Sequence, residues 1–257
     1  MNNRPDIYLG TVLLEVNRWG KNRQPTFKVS DWTRRLADDG FDGLELWENH
    51  ALLVDEEEVE RLRSGPCPVK IFNAYDTCDP DTGPTRKRIA EAAVFLGAEG
   101  MKYNFGKNPG LLDKYIENLQ AWKGLFPESF RFLCECHRGS GMEDEALAAR
   151  TFHRLEGPGF EAIIHGIDND EATLRKRFAA YGKRITHIHA NLSAKGLITE
   201  DALRRRIDLL HELGFHGTYT LEFTEGIRDG LTIDELYRNA LRDFKLLRKC
   251  LDTTTPN

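Results

Sequence analysis

Apolar and polar positions along the chain alternate between two periods. Short apolar runs end in polar or glycine-rich segments, and a longer amphipathic stretch follows each. Eight such runs predict strands: IYLGTVLL (7–14), DGLELW (42–47), VKIFNAY (69–75), GMKYNF (100–105), RFLCEC (131–136), FEAIIHG (160–166), ITHIHAN (185–191) and TYTLEF (218–223). Their starts lie about 24 to 36 residues apart, the length of one strand-plus-helix unit. Between them the pattern is helical. In TRKRIAEAAVFLGAEG, Ile89, Ala92, Ala93 and Leu96 recur at 3–4 spacing. Ser30 is expected to cap a helix that stops at Gly40, and the carboxylates of DEEEVERLRS (55–64) suit a helix N-terminus. The same pattern predicts helices over 111–126, 144–155, 171–181, 200–213 and 234–251. Their polar faces carry mixed charge, as a solvated outer surface does.

Eight strands alternating with eight helices predict an α/β chain of the (β/α)8 TIM barrel class, one domain over 1–257. A doubly wound open sheet is the competing architecture. It would place a glycine-rich phosphate turn after its first strand, and this chain has EVNRWGKNRQP there and no GxxxxGK[ST] anywhere. No linker or low-complexity segment divides the sequence.

In a barrel of this kind the site lies at the C-terminal strand ends, and side chains alternate between its two faces. Leu133, Glu135 and His137 therefore share the inward face of the fifth strand, while Phe132, Cys134 and Cys136 pack under the helices. The same alternation turns His165 inward from the sixth strand, His187 and His189 from the seventh, and Thr218, Thr220 and Glu222 from the eighth. Four consecutive strands thus bring Glu135, His165, His189 and Glu222 to one rim. Two carboxylates and two imidazoles form a sensible ligand set for one divalent cation; nitrogen ligands favour Mn, Co, Fe or Zn over Mg, and manganese is the first expectation. His187 lies a layer deeper and is expected to be a supporting or core histidine. His137, a layer above Glu135, suits a substrate hydrogen bond.

Composition narrows the partners. A net charge of −5 over 257 residues argues against nucleic acid as the main ligand. No apolar run approaches the ~18 residues of a membrane span, and MNNRPDIYLG lacks a signal-peptide layout. Five cysteines without a CxxC pair suggest reduced thiols and a cytoplasmic location. A homo-oligomer stays open.

These residues resemble the xylose-isomerase-like TIM barrels, a superfamily of sugar isomerases, epimerases and related lyases. The resemblance spans nearly the whole chain and is carried by GFDGLELW (40–47), AEAAVFLGAEGMKYNFG (90–106), FLCECHRG, ITHIHAN and TYTLEF. It implies a metal held by Glu, Asp, His and Glu from the fifth to eighth strands, and Glu135, His189 and Glu222 match three of these. The sixth strand departs from the pattern: Asp followed three residues later by His is reversed, as His165-Gly166-Ile167-Asp168. Either the set has two Glu and two His, or Asp168 is the ligand and His165 is not. In the first case Asp168 takes the place of a substrate-binding residue. The family's HxKD after the seventh strand is replaced by His189-Ala190-Asn191-Leu192.

The activity so implied is proton abstraction beside the carbonyl of a sugar or keto-sugar, with Glu135 and Glu222 as base and acid. The substrate is expected to be unphosphorylated, because no glycine-rich phosphate cradle is present. Expected substrate walls are Trp47, Tyr75, Lys102 and Asn104, with Glu15, Asn17, Trp19, Glu48, His50 and Asn73 as further candidates and Glu45 as a buried partner of other barrel polar groups. A lyase or hydrolase acting on a modified sugar would use the same ion. A non-catalytic carbohydrate-binding barrel is a further alternative. A nuclease of the endonuclease IV type would need more histidines on strands two to four, where this chain offers His50.

Overall fold

The apolar runs close on one another. In a computed structural model describing residues 4–155 and 157–253, they form β1 (Ile7–Gly10), β2 (Gly43–Trp47), β3 (Val69–Asn73), β4 (Gly100–Tyr103), β5 (Arg131–Glu135), β6 (Phe160–Ile164), β7 (Ile185–Asn191) and β8 (Thr218–Phe223). Each pairs in parallel with the next, and β8 returns to β1 through Ile7–Tyr219, Tyr8–Thr220 and Leu9–Leu221. The result is the expected closed eight-stranded barrel. Around it run α1 (Thr33–Asp38), α2 (Asn49–Leu52), α3 (Glu56–Arg63), α4 (Gly83–Phe95), α5 (Leu112–Lys123), α6 (Glu145–Arg154), α7 (Glu171–Tyr181), α8 (Glu200–Glu212) and α9 (Ile233–Thr253).

Strand alternation separates two interiors. Outward residues such as Leu44, Met101, Phe132 and Cys134 join Leu119, Leu174, Leu203 and Leu247 of the helices in one large core. Inward, Tyr8, Ile71, Leu133 and Ile163 form a small apolar plug. Each precedes the next inward residue of its strand by two positions, so the plug underlies the polar layer at the C-terminal ends. All five cysteines are buried. No helix among the described residues is long and apolar enough to cross a membrane.

Helix starts follow local chemistry. The side chains of Asp55, Asp144, Asp170 and Thr199 each accept the backbone N–H three residues on, opening α3, α6, α7 and α8.

Two local expectations are corrected, and one element is new. The first strand ends at Gly10, and Thr11–Leu13 form a 3₁₀ turn. The apolar run outlasts the strand because the turn itself is buried, and apolar content alone does not separate strand from buried turn. Ser30 caps no α-helix: it lies in a 3₁₀ turn, Val29–Asp31, and its hydroxyl and N–H both donate to the Glu58 carboxylate. The short α2 was not expected; it fits between Trp47 and Leu53, too brief to show periodicity.

Gly217 enters β8 where no side chain fits, since a Cβ there would lie 1.9 Å from the Thr186 carbonyl oxygen of β7. Gly217→Ala is expected to cost about 1–3 kcal/mol through overpacking, which for a chain of this size lowers the melting temperature by several degrees. Thermal unfolding followed by circular dichroism measures it, and an unchanged midpoint would contradict the backbone contact.

Candidate metal centre at the barrel mouth

The polar layer is built from Glu45 on β2, Asn73 on β3, Lys102 on β4, Glu135 on β5, His165 just after β6, His187 and His189 on β7, and Thr220 and Glu222 on β8. Apart from His165, each is almost or fully buried, so each must find partners inside the protein.

Glu45 is the deepest carboxylate. Asn73 Nδ2 donates to its Oε1 at 2.6 Å, and His189 Nε2 donates to its Oε2 at 3.1 Å. His187 Nε2 lies 3.5 Å from the same oxygen. Burial pushes the Glu45 carboxyl up, but His189 and His187 outweigh it and hold the group below the ordinary carboxylate range. His187 lies within 2.7 Å and 2.8 Å of the hydroxyls of Thr218 and Thr220. Burial brings its pKa down to about 4, so it is neutral near pH 7.

The bond from His189 Nε2 to Glu45 turns the opposite nitrogen toward the mouth. His189 Nδ1 lies 3.3 Å from Glu135 Oε1 and 3.3 Å from Glu222 Oε2. His165 Nε2 approaches Glu135 Oε1 from the other side, also at 3.3 Å. One ligand atom from each of Glu135, His165, His189 and Glu222 lies within 4.8 Å of all the others. Yet His189 Nδ1 and Glu222 Oε2 are buried with no hydrogen-bond partner. Two unpaired, converging ligand atoms in a dry position suit a cation, and the donor set suits a divalent first-row ion. A carboxylate on the far nitrogen of a ligating histidine is the support that metal sites use to fix its tautomer. Without an ion, burial lowers the His189 pKa, but Glu45 and Glu222 raise it well above the ordinary range.

Glu45, His187 and His189 also lie close enough to hold an ion. There, however, the Glu45 oxygens already accept from Asn73 and His189, which leaves that position satisfied without a cation.

Lys102 completes the polar layer. Its ammonium lies 2.8 Å from Glu135 Oε2 and 4.2 Å from the centre of the Tyr75 ring. Burial alone would lift the Glu135 pKa; the Lys102 charge and the two histidines bring it well below the usual value. Lys102 thus holds one oxygen of Glu135 and leaves the other facing His165 and His189.

Above this layer opens a cavity of about 440 Å³, lined by Arg18, Trp19, Arg23, Tyr75, Lys102, Asn104, Glu135, His137, His165, Glu222 and Phe223, among others. His137 stacks on His165 with ring centres 5.3 Å apart. Tyr75, Lys102, Asn104 and His137 therefore share one chamber with the ligand cluster. Trp47 and Asp168 do not line it. Trp47 is fully buried beneath Arg23, and Asp168 stands behind His165, its Oδ2 3.9 Å from His165 Nδ1. Of the two sixth-strand possibilities, the convergent set contains His165. Trp19 lines the cavity; Glu15 and His50 do not. Those two are buried against each other at 3.1 Å, with His50 also bonded to Thr11, and Glu15 accepts from Asn17 and Thr26 to shape the loop after β1. Arg18 and Arg23 in that loop escaped sequence reasoning. Their signal was a long polar segment at a C-terminal strand end, carrying cations beside Trp19.

No family model and no curated protein sequence matches the chain. Solved structures do. The chain is 14% identical to the IOLI protein, solved with a bound zinc atom, over 95% of this chain and 98% of that one, with a TM-score of 0.67. The fold is that of the xylose-isomerase-like barrels. A probable 3-DHS dehydratase from Bacillus anthracis, AsbF, shares it at 15% identity over 97% of this chain and 100% of that one, TM-score 0.66. So does the 3-keto-D-glucoside 4-epimerase YcjR from E. coli, at 16% identity over 93% and 100%, TM-score 0.61. At these identities the xylose-isomerase-like likeness is one of fold.

If Glu45 orients His189, Glu45→Gln is expected to weaken divalent-metal affinity about 10- to 100-fold while the circular dichroism spectrum stays the same. A competition titration against a chromophoric chelator measures it. Unchanged affinity would show that His189 needs no such support.

Proposed function

We propose that this chain is a divalent-metal-dependent isomerase or epimerase of polyhydroxylated carbonyl compounds, with Glu135, His165, His189 and Glu222 holding the ion. The observation that carries the reading is the convergence of two carboxylates and two imidazoles on one point, two of whose ligand atoms have no other partner. Nitrogen and oxygen donors together suit Mn, Co, Fe or Zn, and manganese is the first metal to test. Likeness in fold to an epimerase supports the same reading.

When bound, the ion would supply Lewis-acid polarisation, which makes the C–H beside a carbonyl acidic. The chain does the rest. Glu135 and Glu222 reach the chamber from different strands, so one removes the proton and the other returns it. Return to the opposite face of the same carbon is epimerisation; return to the adjacent carbon is isomerisation. The buried ammonium of Lys102 keeps Glu135 ionised and oriented. His137 and Asn104 offer hydrogen bonds to substrate hydroxyls, and Trp19, Tyr75 and Phe223 give the chamber aromatic walls. The same proton abstraction followed by loss of a β-hydroxyl would make the enzyme a lyase, a second reading favoured by likeness to a dehydratase.

Manganese-reconstituted protein incubated with a panel of ketoses and keto-acids in D₂O is expected to introduce deuterium beside the carbonyl of its substrate. Glu135→Gln and Glu222→Gln should each slow that exchange about 10²- to 10⁴-fold, with the native fold retained. Exchange at the wild-type rate in both variants would remove the two glutamates from the reaction.

A further inference from the structure

Arginines buried in this protein are paired as a rule: Arg86 with Asp76, Arg177 with Glu145, Arg248 with Asp42. Arg18 is the exception at the barrel mouth. It is 6% exposed and lines the cavity. Its guanidinium lies between two rings, 4.9 Å from the centre of Trp19 and 4.7 Å from that of Phe223. Among the described residues it pairs with no carboxylate, and its Nη1 is buried with no hydrogen-bond partner. Arg23 repeats the arrangement from the same loop. It lies 5.0 Å from the ring centre of Trp47 and 4.3 Å from that of Tyr75, its Nε is likewise buried without a partner, and its backbone is in the left-handed region at φ 48°. A non-glycine residue in that region is uncommon and marks a constrained turn.

Aromatic clamps hold the faces of a guanidinium and leave its edge for hydrogen bonding. The edge carries paired N–H donors that match the two oxygens of a carboxylate or phosphate. Charge points the same way. Arg18, Arg23 and Lys102 line the chamber together with Glu135 and Glu222, so the cations among these lining residues outnumber the carboxylates before any divalent ion is added. A buried, uncompensated cation is costly, and a ligand bringing negative charge relieves that cost.

We propose that the substrate carries an oxyanion, a carboxylate or a phosphate, bound by the free edges of Arg18 and Arg23. The proposal rests on the reading of this mouth as a substrate chamber and narrows the substrate to acidic or phosphorylated carbonyl compounds. Arg18 and Arg23 are sited to anchor one end of the molecule, while its carbonyl end faces Glu135 and Glu222.

Isothermal titration calorimetry tests it on the full chain, with inorganic phosphate and with glycerate at ionic strength fixed by KCl. The titrations are run on manganese-loaded protein and on chelator-treated protein. Saturable binding of at least one anion is expected in both preparations, weakened tenfold or more by Arg18→Gln and by Arg23→Gln. Preference for phosphate would assign a phosphorylated substrate, and preference for glycerate a sugar or keto acid; either supports the proposal. Should Arg18→Gln fail to fold by circular dichroism, the less buried Arg23→Gln decides. No saturable binding to the chelator-treated protein, or binding unchanged in the folded variants, overturns it. Metal content measured in parallel separates the two readings: anion binding without a stoichiometric ion would fail the metal centre and leave this anchor standing.

Discussion

Glu45 has no water to turn to. A carboxylate fully enclosed in a barrel must be satisfied by the protein, and Glu45 is satisfied by Asn73, His187 and His189. That requirement fixes the His189 tautomer, since the nitrogen facing Glu45 must carry the proton. The opposite nitrogen then faces Glu135 and Glu222, where it would offer its lone pair to a bound ion. The arrangement at the mouth is thus set one layer below it, by a group that touches neither the cavity nor any candidate substrate.

The same logic extends upward through Lys102. An ammonium with 1% exposure needs a counter-charge, and Glu135 lies within 2.8 Å. Removing one partner of a buried pair typically costs about 3–5 kcal/mol, so the pair also ties β4 to β5 near their C-terminal ends. The apolar plug of Tyr8, Ile71, Leu133 and Ile163 keeps this polar layer from continuing down the barrel. Packing below, paired charges in the middle and an open chamber above give the barrel a rigid floor and a single polar mouth.

Much of this was legible in the chain. All eight strands are visible because a strand buried on its outer face reads as an apolar run, and the residues that interrupt the runs at their C-terminal ends are the ones that face the mouth. Alternation alone turns Glu135, His189 and Glu222 to the same side. Trp47 illustrates the limit. Alternation turns it inward, but the Arg23 guanidinium covers it, and that cover depends on the loop after β1. Glu15 and His50 show the same limit: both look like wall residues until the folded loop after β1 pairs them. Arg18 and Arg23 were missed because their roles depend on four rings drawn from three other places in the chain as well as from their own loop. No period in the sequence encodes that meeting.

The sixth strand bears on both the candidate metal centre and the proposed anion anchor. The family pattern that the sequence resembles has a carboxylate where this chain has His165. Three carboxylates around a divalent ion leave the cluster with one net negative charge, which a neighbouring lysine would neutralise. Two carboxylates would leave it neutral, so that Lys102 offsets the ionised Glu45 beneath it and the polar layer carries no net negative charge. Arg18 and Arg23 line the chamber above and add positive charge to it. Exchanging an Asp for a His at this one position removes one negative charge from the mouth and favours a ligand that brings one. The reversal at His165-Gly166-Ile167-Asp168 and the two arginines of the loop after β1 thus shift the charge at the mouth in the same direction.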